Sequence, residues 1–420
     1  MTATRCPSEF KTDWSENSQP GPWGSFFVVR CKGRRFGRRS VLCSLHNCWC
    51  RMEILVVKLS AIGDVVHSLP ALKLLKRRLP QAKITWVVEP LSRDLLAGNP
   101  AVDRVVLFDK KEFKSLSTKA IKEFAGQLNT TKYDCAIDLQ GLFKSAAICR
   151  GSGAKRIFGF SGAREMAPLL YTDRIDTGDY FAHDKHVVLH NMRLANAAAN
   201  ALTGKKEDVS DDKTLALHCE FSLPSIKDAS IQKIEQIFAE QQSAGEVSHL
   251  EHAPLVVLIP GTTWITKLWP MPSWSALAEK LSAGGYRIAL VGGKAEIETN
   301  KSLSKEIKSK VSNANVVDLT GKTSLCDLMA LFSRCRLVIG GDTGPLHLAA
   351  AMNGPKIVGV YGSTPIGRNG PFGEHCTTVS TSLECQPCFS KTCKISTLAC
   401  LTELSPDAVF SAAMQASEIK

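Results

Sequence analysis

Apolar and polar positions alternate along this chain in two rhythms. Short apolar runs at 54–59, 83–88, 105–108 and 135–139 have the length and β-branched content of buried strands. Between and after them, apolar residues recur at helical spacing over 65–78, 112–128, 143–150 and 187–202, with His186 and Asn191 on or near the last. A polar stretch, 204–213, reads as loop. A second series starts after the polar, histidine-containing segment 241–253. Its strands are expected at 255–260, 287–291, 316–319, 337–340 and 356–361, and its helices at 272–283, 296–311, 325–334 and 345–352. Ser405-Pro406-Asp407 is a helix start, Ser as N-cap and Pro in the first turn, leading a terminal helix through Gln415.

Strand–helix alternation of this kind predicts mostly parallel sheets covered on both faces. The chain thus reads as α/β, with two Rossmann-like halves: 52–225 and 250–404, then a terminal helix over 405–420. Open sheets of this type bind ligands at the carboxyl ends of their strands, and two facing each other make an interdomain cleft.

Composition changes this picture in three places. Residues 1–51 follow neither rhythm, are rich in Ser, Gly, Pro, Arg and Cys, and are read as a disordered extension or a mis-assigned start before Met52. They hold nine Lys and Arg against three Asp and Glu, half of the net charge of +12. The modest excess elsewhere suits a phosphorylated substrate or an anionic membrane surface, and equally no partner in particular. Fifteen cysteines in a large α/β chain without a secretory signal read as reduced thiols and a cytoplasmic protein.

Candidate chemistry sits where strands run into helices. In VVKLSAIGDVVHSLPAL (56–72), Asp64 follows the first strand and opens the helix. It is read both as an N-cap and as a general base for a hydroxyl, two compatible roles. The single glycine of the turn, Gly63, is read as leaving room for a sugar acceptor and not for a dinucleotide pyrophosphate. In PGTTWITKLWP (260–270), Thr262, Thr263 and Lys267 supply hydroxyls and a mobile cation suited to a diphosphate, or else an ordinary loop with a solvated lysine. GGDTGPLHLAAA (340–351) places Asp342, Thr343 and Gly344 at a helix start with His347 one turn in. Here Asp342 is expected to position Lys267, cap the helix or hold sugar hydroxyls, since a carboxylate repels a diphosphate. Glu296, after another strand, is read as a ribose ligand or a first-turn acid. Cys385, Cys388, Cys393 and Cys400 are spaced closely enough for a structural metal, though too loosely for a zinc ribbon. No Asp-x-Asp occurs, so a divalent ion on a sugar-nucleotide diphosphate is not expected.

Together these segments resemble the heptosyltransferases of lipopolysaccharide core synthesis, inverting glycosyltransferases of GT-B fold, over nearly all of the chain after residue 51. VVKLSAIGDVVHSLPAL resembles the family's amino-terminal signature, and GDTGPLHLAAA its broad motif. IDLQGLFKSA (137–146), GAREMAPLLY (162–171) and TTWITKLWP are similar to segments of the type I enzyme. CQPCFSKTC is more typical of type II.

The resemblance implies that Asp64 is the catalytic base. Thr262, Thr263, Lys267, Glu296, Asp342, Thr343, Gly344 and His347 would bind an ADP-heptose donor, and Lys144 and Arg164 an anionic Kdo–lipid A acceptor. It implies no cofactor, no catalytic metal, no nucleic-acid partner and a peripheral place on the cytosolic face of the inner membrane. The alternatives are a second-heptose or other sugar transfer by the same family, and a non-catalytic or oxidoreductase nucleotide-binding protein. The last would need a glycine-rich fingerprint after the first strand of either half, and neither has one.

Overall fold

The fold is seen in a computed structural model, described here for residues 52–115, 117–206, 211–242, 253–311 and 314–418. The segment 1–51, with the reading given to it above, lies outside the described residues.

The first sheet is built from β1 (Glu53–Val57), β2 (Lys83–Val88), β3 (Arg104–Leu107), β4 (Cys135–Asp138), β5 (Arg156–Phe160) and β6 (Asp173–Ile175). The second contains β7 (Leu255–Ile259), β8 (Arg287–Leu290), β9 (Val316–Asp318), β10 (Leu337–Gly341), β11 (Lys356–Tyr361) and β12 (Cys376–Ser380). The spatial orders are β3-β2-β1-β4-β5-β6 and β9-β8-β7-β10-β11-β12, so both sheets wind in the same way. Every pairing is parallel. The strands were legible where both faces are buried: β1, β4, β7 and β10 are central and nearly uninterrupted in apolar residues. The sequence reading missed β5, β6 and β12. Two of these are the polar edges Asp173–Ile175 and Cys376–Ser380, which need not alternate because water covers them.

Helix boundaries moved for local reasons. The expected helix over 65–78 is two, Ile62–Val66 and Leu69–Arg78. Pro70 sits at the start of the second, where its missing N–H costs nothing. Likewise 112–128 divides into Lys110–Lys114 and Thr118–Leu128, with Asp109 and Ser117 as side-chain caps. Among the helices that went unread are Asp212–Leu217 and Asp228–Gln242. The second docks on Leu325–Phe332, joined by Lys233 to Asp327 at 2.6 Å and Arg334 to Glu235 at 2.5 Å. Val187–Thr203 lies along Leu69–Arg78, and Arg78 donates to Asn196 at 2.5 Å and Asn200 at 2.9 Å.

Residues 51–420 form one compact unit. One continuous apolar core runs from Ile54 and Leu72 in the first half to Leu346 and Ala349 in the second. Among the described residues no helix is long and apolar enough to cross a membrane.

Candidate active site

The carboxyl ends of β1 and β10 lead to two short helices that touch, Ile62–Val66 and Gly344–Ala350. Glycine makes the approach possible. A Cβ on Gly63 would stand 2.8 Å from His347 Cδ2, and one on Gly344 only 2.7 Å from Ile62 Cβ. Gly63 therefore does not make room for a sugar, as its place in the sequence suggested. It admits the other half of the protein.

Asp64 lies inside the first turn of its helix, whose N-cap is Ala61. Its Oδ2 accepts the Ala61 N–H at 3.0 Å, so the carboxylate occupies the third helical position and not the capping position. The side chain is half-buried. Gln140 holds the turn in front of it, its Oε1 accepting the amides of Leu59 at 3.0 Å and Ser60 at 3.2 Å.

On the facing half, Lys267 Nζ donates to Asp342 Oδ2 at 2.5 Å and sits 4.3 Å from the Trp264 ring centre. Asp342 Oδ1 accepts from His347 Nε2 at 2.9 Å. Burial alone would raise the Asp342 carboxyl; hydrogen bonds and charge from His347 and Lys267 outweigh it and bring the group down to about 2. An ionised Asp342 thus holds Lys267 in place while leaving other ammonium protons for a ligand. His347 then reaches His67, Nδ1 to Nε2, at 3.2 Å. The two rings meet edge-on with centroids 4.3 Å apart.

The structure thus brings Lys267, Asp342 and His347 into one bonded group, with Gly344 and the Asp64 turn packed against it. Thr262 and Thr263 lie on the same loop as Lys267. Glu296 stands over Gly261, where a Cβ would be 2.6 Å from its Cγ, and accepts the Gly293 amide. The Thr343 hydroxyl is buried without a partner. The helix that Thr343 begins has seven residues, too few for a strong macrodipole, so positive charge here comes chiefly from Lys267.

Lys144 and Arg164 are on the first half alone. Lys144 pairs with Glu89 at 3.4 Å, and the Glu89 amide donates to Leu59 O at 3.0 Å, which sets the pair beside the Asp64 turn. Arg164 stacks over Phe181 at 4.0 Å, and its amide donates to Gly141 O at 3.1 Å.

The four downstream cysteines line one small cavity with Thr266 and Ser363. Among the described residues no group of three or more His, Cys, Asp and Glu is placed to hold a metal ion. The loop instead braces the Lys267 loop: Thr266 donates to Ser390 O at 2.6 Å, and Phe389 packs 5.9 Å from Trp264.

The sequence reading missed His67, Glu89 and Gln140 as site neighbours. Nothing local marks them, since each acts through a residue far away in sequence. Arg368 and His186 were also missed as cross-links between the halves. Arg368 donates to Tyr180 O at 3.2 Å, and His186 Nε2 to Gly370 O at 2.9 Å. Burial pushes His186 down to about 4.

Comparison with known proteins bears on the family and the fold. Residues 121–399 match the family described as glycosyltransferase family 9 (heptosyltransferase). The chain is 30% identical over 349 residues to lipopolysaccharide heptosyltransferase 1 of Pseudomonas aeruginosa, covering 81% of this chain and 87% of that one. It is 31% identical to the Escherichia coli K12 protein of the same name, over 77% of this chain and 92% of the relative. The solved structure of E. coli heptosyltransferase WaaC with ADP superposes with a TM-score of 0.65 at 26% identity, covering 87% of this chain and all of that one. E. coli heptosyltransferase II, at 21% identity and a TM-score of 0.67, shares the fold. The two like-wound sheets are those of the GT-B fold. The chain belongs to glycosyltransferase family 9, the heptosyltransferases of lipopolysaccharide core synthesis.

Proposed function

We propose that this enzyme makes the first heptose transfer of the inner core, from ADP-L-glycero-D-manno-heptose to a Kdo-bearing lipid A, with inversion and without a metal ion. The observation that supports this reading is the packing of the Asp64 turn directly against the Lys267–Asp342–His347 group. A carboxylate on one wall and a held cation on the other is what such a displacement requires.

Asp64 takes the proton from the acceptor hydroxyl as its oxygen attacks the anomeric carbon. The ADP leaves from the opposite face, and Lys267 offsets the negative charge that grows on its diphosphate. Thr262, Thr263 and Thr343 offer hydroxyls to the phosphates or the sugar, and the Glu296 carboxylate accepts from the ribose hydroxyls. That WaaC was solved with ADP supports a nucleotide in the second half. Lys144 and Arg164 face the anionic acceptor sugar, and the enzyme works at the cytosolic face of the inner membrane. The domain limits read from the sequence, 52–225 and 250–404, divide the acceptor side from the donor side.

Purified protein is given ADP-heptose and Kdo₂–lipid A, and ADP release and product mass are followed. Turnover unchanged by a chelator, with an inverted anomeric centre by NMR, is expected. Transfer only to an acceptor that already carries heptose would replace the first-transfer reading with the second. No transfer to either acceptor would overturn both.

A further inference from the structure

The bonded group of the donor half does not stop at His347. Lys267, Asp342, His347 and His67 form one row crossing between the halves, with successive contacts of 2.5, 2.9 and 3.2 Å. Proton positions along the row follow from chemistry. An ionised carboxylate only accepts, so His347 carries its proton on Nε2. In a neutral His347 ring Nδ1 is bare and takes the N–H of His67 Nε2. That leaves His67 Nδ1 bare, and this atom is buried with no partner. In this arrangement the two N–H groups point one way, from His67 towards Lys267.

The far end is tied to the base. Asn191, on Val187–Thr203, donates to His67 O at 3.1 Å and to Ser68 Oγ at 3.2 Å. Ser68 Oγ in turn donates to the carbonyl of Asp64 at 2.8 Å. His67 thus stands where the row meets the turn that presents Asp64.

We propose that His67 is a positioning residue of the transfer reaction: its N–H to His347 registers the Asp64 turn against the Lys267 end, and a proton added to the row breaks that register. The proposal rests on the roles given above to Asp64 and Lys267. A proton arriving on His347 Nδ1 forces the His67–His347 bond to reverse. His67 must then move its own hydrogen to Nδ1, an N–H without an acceptor in a closed interior, where orphaned donors are rare. The groups facing His67 oppose a proton on it directly. Burial, then His347, His186, Lys58 and Arg368, hold it well below the ordinary histidine range. The His186 ring stands edge-on at 5.3 Å. The carboxylate at the row's end, Asp342, is reached only through His347, and Asp64 lies one turn back on the same segment.

The experiment compares His67→Leu, which fills the space without an N–H, with His67→Gln, which can donate one. Circular dichroism and thermal melting establish that both fold. His67→Leu is expected to lower kcat on the order of 10- to 100-fold through misplacement of the base, with the donor KM changed by less than about threefold. His67→Gln should recover most of that loss, and the acid limb of its kcat profile should lie at lower pH than in the parent. Nitrogen-15 NMR of the ligand-free protein gives a readout that needs no turnover: both imidazoles should be neutral Nε2–H tautomers at neutral pH. The proposal fails if His67→Leu folds and keeps full kcat, if Gln and Leu are equally impaired, or if His67 proves to be the Nδ1–H tautomer. Should the parent enzyme not transfer heptose at all, the functional reading falls and the tautomers still judge the row.

Discussion

Each sheet places an aspartate at the end of its fourth strand, and the two are held in opposite ways. Asp138 closes β4 and is fully buried. It is surrounded by neutral donors: the amides of Gln140 and Gly141, the Ser145 hydroxyl at 2.9 Å and the Tyr171 hydroxyl at 2.7 Å. Burial wins there, and its carboxyl is raised from the ordinary value. Asp342 follows β10 and meets an ammonium and an imidazole, which bring it down to about 2. Identical topology thus yields a latch in one half and a charged holder of Lys267 in the other. The four neutral hydrogen bonds lower the Asp138 carboxyl by less than burial raises it, whereas the ammonium and the imidazole outweigh burial at Asp342. The difference marks the second half as the place built to carry charge.

Between the two lies Asp64, half-buried and exposed enough to reach a substrate. Asp64→Asn, which keeps the shape, should cut kcat by roughly 100- to 10,000-fold while thermal stability holds. Near-full turnover in a folded variant would remove the base assignment. Next in size is Asp342→Asn, which leaves the half-buried Lys267 without its counter-charge. A loss of about 3–5 kcal/mol in denaturant unfolding is expected, with weaker ADP binding. If stability were unchanged, the contrast with Asp138 would collapse.

Acid sharpens the same contrast. Asp342 is lower in the folded protein, about 2, than its ordinary 3.8. Its stabilising contribution is therefore present above 3.8 and lost as pH falls towards 2, amounting to about 2 kcal/mol. Asp138 is raised, so its share runs the other way: it is greatest below 3.8 and declines as pH rises through the folded value. Unfolding curves taken across this range should show Asp342→Asn flattening the acid loss and Asp138→Asn steepening it. The smallest effect expected is that of Asp138→Asn on stability at neutral pH, about 1 kcal/mol. Its oxygen keeps the two amides, and the hydroxyls of Ser145 and Tyr171 can turn to accept. A loss as large as that of Asp342→Asn would mean the latch carries more than its hydrogen bonds suggest.

What could be read before any coordinates was what burial writes locally. Ile54–Val57 and Leu255–Ile259 are hydrophobic on both faces, so central strands announced themselves. Polar edges such as Asp173–Ile175 did not. Within the site, Asp342 beside Lys267 could be expected, since a carboxylate next to a diphosphate needs another purpose. His67 could not, although it stands in the stretch read most closely. An imidazole on an apolar segment gives no sign of whether it meets another imidazole.

The sequence by itself determined the strand–helix alternation of the two halves and the loops at the carboxyl ends of β1, β7 and β10, because hydrophobic periodicity and turn residues act over a few neighbours. Only the tertiary structure decided that Gly63 serves His347, that two helices meet at a pair of glycines, and that four cysteines line one cavity. Those facts depend on distances between residues some 280 positions apart, such as His67 and His347. Close packing, and not local propensity, sets such distances.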